Sequence, residues 1–69
     1  MPKKIRELKA MMRKAGFIPR PGKGSHVVWE HPELPDELAL SGNDGDDAQP
    51  YQERDVRKIL RKLKEVQDD

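Results

Sequence analysis

At 69 residues, of which 33% are apolar, the chain can build one domain around a small core and is too short for a multidomain enzyme. The absence of cysteine excludes a disulfide framework and a thiolate zinc site, and it fits a reducing compartment. The net charge of +1 conceals a segregation of sign: residues 1–29 carry eight basic groups against Glu7 alone, residues 30–53 carry eight acidic groups and no Lys or Arg, and residues 54–69 carry six basic and four acidic groups.

The first segment, "KKIRELKAMMRKAG", has Ile5, Leu8, Met12 and Ala15 at spacings of three and four, which predicts a helix with Lys3, Arg6, Lys9, Arg13 and Lys14 on its other side. Gly16 is placed to stop it in a left-handed cap. "FIPR" is short and contains Pro19, which removes a ladder donor, so an edge strand is expected. "PGKG" supplies turn residues, and "SHVVWEH" is the strongest strand signal, so the two strands form a hairpin. "PELPD" reads as a turn, "ELALS" as a short third strand, and "GNDGDDAQP" as an acidic loop. "YQERDVRKILRKLKEV" is a second amphipathic helix, with Val56, Ile59, Leu60, Leu63 and Val66 on one face.

Helix, three strands, helix is the resulting order, with no repeat or linker. Both helices must bury an apolar stripe. The economical solution lays them on one face of a three-stranded antiparallel sheet, giving a single α+β domain over residues 1–69, a two-layer sandwich. So small a core leaves a thin stability margin, to which a tight partner could add. No apolar run approaches the roughly 20 residues that cross a bilayer, and the N-terminus lacks an apolar signal core, so a soluble cytoplasmic protein is expected.

"GKGSH", residues 22–26, is the segment in which chemistry could reside. A histidine can move a proton near neutral pH, so His26 is a candidate general base. Gly22 and Gly24 let the backbone come close to a ligand, Lys23 brings positive charge, and Ser25 adds a hydroxyl and an N–H. RNA supplies its own nucleophile in the 2′-hydroxyl, so such a site needs neither metal nor cofactor. The competing reading is an exposed strand residue after a glycine hairpin, and spacing alone favours that reading. A second histidine, His31, lies an odd number of residues along the strand and about 16 Å away. It therefore faces the other way, and a surface role is expected for it. The acidic loop does not match a calcium loop, because a frame starting at Asn43 or Asp44 puts Ala48 or Gln49 where glycine is required. Trp29 is expected in the core, although it and Tyr51 could stack on bases. The basic helix faces could track a phosphate backbone or keep the helices soluble.

"KIRELKAMMRKAGF", "GKGSHVVWEHP" and "RDVRKILRKL", in this order and spacing, resemble the HicA family of bacterial toxins, over about Lys4 to Leu63. The resemblance implies a fold like a double-stranded RNA-binding domain. It implies a metal-independent ribonuclease acting on mRNA and neutralised by a HicB antitoxin. It also implies that the histidine of the Gly-Ser-His motif, here His26, is catalytic, with Gly24 and Ser25 at the matching motif positions. The chain departs from the family after its third strand, where a proline, a second histidine and basic residues are common. "ALSGNDGDDAQP" has none of the positive charge, and Asp44, Asp46 and Asp47 would repel RNA if the loop lay near His26. Antitoxin docking is another use for the loop. A non-catalytic RNA-binding or protein-interaction module of the same fold is the alternative.

Overall fold

A computed structural model describes residues 2–24 and 26–68. The elements follow the expected order: α1 (Ile5–Lys14), β1 (Ile18–Pro21), β2 (Val27–His31), β3 (Leu34–Leu40) and α2 (Pro50–Gln67). The strands form one antiparallel sheet in the order β1-β2-β3. Ile5, Leu8 and Met12 of α1, Val56, Ile59 and Leu63 of α2, and Trp29 and Leu40 of the sheet belong to one buried cluster. Both helices therefore cover the same sheet face, and the domain is a two-layer α+β sandwich.

Local chemistry explains where the elements begin and end. α1 starts at Ile5 rather than Lys3, because the acidic loop supplies acceptors for its first amides: Ile5 N–H donates to the Asp46 carbonyl at 2.9 Å and Arg6 N–H to the Asp44 carbonyl at 3.1 Å. The Glu7 carboxylate also accepts from Lys4 N–H at 2.6 Å. At the other end Gly16 takes a φ of +98°, the expected left-handed stop. α2 opens with Pro50 in its first turn, where a missing N–H costs nothing. Gln52 is buried there; its Oε1 accepts from Gln49 N–H at 2.8 Å and its Nε2 donates to the Ser41 carbonyl at 3.1 Å. This side chain ties the start of α2 to the end of β3.

The third strand departs from expectation. It begins at Leu34 rather than Glu37, and the reversal after β2 takes only Pro32 and Glu33. Two prolines suggested a longer turn, but β3 is an edge strand, so Pro35 can sit in it with no ladder bond to lose. Leu34, Leu38 and Leu40 then alternate toward the helices. An irregularity between Glu30 and His31 absorbs the register change at this tight reversal. In α2 the apolar face runs from Val56 to Leu63, while Val66 is exposed.

Trp29 is fully buried, as expected, with the Arg13 guanidinium 5.3 Å from its ring centroid. Its Nε1–H has no acceptor among the described residues, which costs roughly 1–3 kcal/mol. The opposite sheet face carries Arg20, Val28, Glu30, Glu37 and Ala39 and has no covering layer among the described residues.

Candidate functional site

His26 sits at the mouth of the β1–β2 hairpin. The ladder continues one step past β1, where Gly22 N–H donates to the His26 carbonyl at 3.0 Å. A turn then closes inside it, with His26 N–H donating to the Lys23 carbonyl at 3.1 Å. Gly24 adopts a φ of +60°, the left-handed region that hairpin turns need and that glycine enters without strain. Lys23, Gly24 and His26 are all exposed. Ser25 lies outside the described residues.

The pleat determines where His26 points. Trp29 and His31 turn toward the helices, so His26 shares the parity of Val28 and Glu30 and belongs to the uncovered face. A Cβ built on Gly22 would lie 3.6 Å from His26 Cβ and 3.1 Å from its carbonyl oxygen. A side chain at 22 would therefore crowd the His26 backbone and Cβ. Two positions back on β1, Arg20 lies on the same face, opposite Val28. Its guanidinium reaches Glu37 at 2.5 Å and Glu30 at 3.5 Å. The hydrogen bond that Arg20 donates to Glu37, then the charge of Glu30, holds the Arg20 pKa above its ordinary value. Sequence reading missed Arg20 as a neighbour of this site. The parity of the hairpin was the available signal, and only the register could supply it.

His31 corrects an expectation. It is not a surface residue but only 9% exposed, on the helix side of the sheet. Its ring meets Phe17 edge-on, with centroids 5.0 Å apart. Nδ1 accepts a hydrogen bond from Glu33 N–H at 3.0 Å, so a neutral ring carries its proton on Nε2. The parity argument against a His26–His31 pair holds: His26, one residue before β2, is exposed with the parity of the uncovered face, and His31 is enclosed on the helix side.

The acidic loop leaves β3 at the end of the sheet where β2 begins, so loop and hairpin share one end of the fold. Its carboxylates are turned onto α1 and onto the loop itself. Asp44 pairs with Lys9 at 2.7 Å, Asp47 with Lys4 at 2.5 Å, and Asp46 accepts from Asn43 N–H at 2.9 Å. Chiefly the Lys9 hydrogen bond and charge hold the Asp44 pKa below its ordinary value. These contacts offset the repulsion of RNA that the bare sequence suggests, and they also occupy Lys9 of α1 and Lys4 just before it.

The arrangement defines a small α+β domain with a histidine exposed on a glycine turn beside a lysine. A family model described as the HicA toxin of bacterial toxin–antitoxin systems matches residues 5–65. The chain belongs to the HicA toxin family, and a toxin of a toxin–antitoxin pair implies an antitoxin partner. No curated protein and no solved structure matches the chain. No helix among the described residues is long and apolar enough to cross a membrane.

Proposed function

We propose that the protein is a metal-independent endoribonuclease that cleaves mRNA, with His26 as general base, and that a HicB-type antitoxin neutralises it in the cytoplasm. Family membership supports the toxin role. The observation that carries the chemistry is the exposed His26 imidazole at the mouth of a glycine turn, with Lys23 in the same turn. His26 takes the proton from a 2′-hydroxyl, whose oxygen attacks the adjacent phosphorus. The bond to the 5′-oxygen breaks, and that oxygen takes up a proton as it leaves. Lys23 and the amides of Gly24 and Ser25 offset the charge on the phosphoryl oxygens. RNA brings its own nucleophile, so no cofactor enters the reaction.

The purified chain incubated with RNA in EDTA is expected to give 2′,3′-cyclic phosphate and 5′-hydroxyl ends, and folded His26→Ala is expected to give none. Fragments ending in 3′-hydroxyl and 5′-phosphate would sink the mechanism. Cleavage by His26→Ala would sink the assignment of the base.

A non-catalytic module of the same fold is the second reading. The placement of His31 favours it, because this histidine is enclosed on the far face and cannot protonate the leaving group at His26. Salt-dependent RNA binding that survives His26→Ala, with no cleavage by either chain, would decide for it.

A further inference from the structure

Of the eight described cations outside α2, four are engaged, while Lys3, Arg6, Lys14 and Lys23 form no ion pair with any described residue. Lys4 and Lys9 hold the acidic loop, Arg20 holds Glu30 and Glu37, and Lys62 of α2 holds Asp36 at 2.7 Å. Arg13 lies over Trp29. The outer face of α2 gathers its cations in a row. Arg54, Arg57, Lys58 and Arg61 line one shallow open groove along it. Arg57, Lys58 and Arg61 form no ion pair with any described residue, and Arg54 makes only a loose, 72% exposed contact with Asp55 at 3.7 Å. Spacings of three and four place these four side chains on one stripe about 10 Å long. The stripe lies opposite the buried face of Gln52, Val56, Ile59 and Leu63.

At the head of the stripe stands Tyr51, three residues before Arg54 and 51% exposed. Phe17 and Trp29 are buried, so Tyr51 is the one exposed Phe, Trp or Tyr ring among the described residues. Placement ties it to the hairpin end of the fold. Its neighbour Gln52 is bonded to Ser41, which follows Leu40, the register partner of Val27, and Val27 follows His26. Tyr51 and Ser41 line the same cleft. Two carboxylates in that cleft, Asp46 and Asp47, are turned to Asn43 N–H and to Lys4.

We infer that the outer face of α2 is a track for single-stranded RNA, with Arg54, Arg57, Lys58 and Arg61 along the phosphates and Tyr51 stacking on a base at the end nearest the hairpin. The inference rests on the reading of the protein as an RNA endonuclease and adds the route of the strand. Unengaged cations in a row fit a polyanion. One aromatic ring at the end of the row fits an unpaired base, which a duplex would keep stacked inside. An acidic protein partner fits less well, because a protein interface needs an apolar centre and the stripe has no apolar residue between its cations.

The test measures binding and leaves cleavage aside. The full chain carrying His26→Ala is titrated against a fluorescent oligoribonucleotide of about 12 nucleotides by anisotropy, from about 50 to about 200 mM salt. Adding Arg57→Gln, Lys58→Gln and Arg61→Gln together is expected to weaken binding more than about tenfold and to reduce the salt slope by about 2, at about 0.7 per lost phosphate contact. A charge-matched chain with Lys4→Gln, Lys9→Gln and Lys62→Gln should keep most of the affinity. Tyr51→Ala should cost about tenfold, the loss of one stacked base, and Tyr51→Phe should restore it. Equal losses in the two triple variants would reduce the effect to net charge and overturn the track. So would unchanged RNA affinity in the stripe variant, which would turn the stripe toward an acidic protein instead. Tighter binding of a duplex than of the single strand would overturn the single-strand assignment. Cleavage by His26→Ala would count against the catalytic reading alone, since this assay reads affinity.

Discussion

Gly16→Ala probes how the end of α1 is locked to the sheet. Gly16 has a φ of +98°, and a Cβ built there would lie 3.1 Å from Nε2 of His31. The left-handed backbone costs an L-residue about 1–2 kcal/mol. The close contact requires the imidazole to give by a few tenths of an ångström, yet that ring is held by Glu33 N–H at 3.0 Å and by Phe17. Moving it weakens a hydrogen bond of about 0.5–1.5 kcal/mol. A total of about 2–3 kcal/mol is therefore expected, against a whole-domain stability of about 4–10 kcal/mol for this length. Each kcal/mol lowers the melting point of so small a domain by about 4–8 °C, so the drop should be about 10–20 °C. Urea unfolding followed by Trp29 fluorescence measures it, since this ring is fully buried in the native state. In a His31→Ala background only the backbone part should remain, leaving a coupling of about 0.5–1.5 kcal/mol. Gly16→Asn, which tolerates the left-handed region, should fall between glycine and alanine. A loss below about 0.5 kcal/mol, or the same loss in both backgrounds, would refute the lock between Gly16 and His31.

Three further changes test other parts of the structure. Gly22→Ala puts a Cβ 3.1 Å from the His26 carbonyl oxygen; RNA cleavage should fall about tenfold from displacement of His26, while the urea midpoint moves little. Cleavage at the parent rate would show that the close approach of Gly22 to the His26 backbone is not needed. Met12→Ala empties a site that is 0% exposed and should cost about 2–5 kcal/mol. Circular dichroism at 37 °C should then show a substantial unfolded fraction, and a native-like melt would contradict the packing. Asp44 has a lowered pKa, so its pairing stabilises the fold above its ordinary value of 3.8 and is lost as pH falls through the lowered value. Asp44→Asn should therefore be slightly less stable than the parent at pH 7, and the difference should vanish at low pH. A difference that persists in strong acid would rule out the Lys9 pairing as its source.

Period and punctuation carried much of the fold. The three-to-four spacing from Ile5 to Met12 and from Val56 to Leu63, the β-branched run before Trp29, and Gly16 as a helix stop are local signals, and each element formed where its own residues favoured it. The hairpin around His26 was legible for the same reason, because a glycine-rich turn between two strands needs no distant contact. Tertiary structure decided the rest. Whether Pro35 ends a turn or lies in a strand depends on β3 being a sheet edge. His31 is polar enough for a surface, yet Phe17 and the Glu33 amide give its ring a buried seat that composition does not reveal. Asp44 and Asp47 read as a patch hostile to RNA until folding sets them on Lys9 and Lys4, 35 and 43 residues away. Which cations stay unengaged, and so which face of the protein can meet a phosphate backbone, follows from ion pairs formed across the fold. Those pairs come from register and helix placement, which no local stretch of sequence encodes.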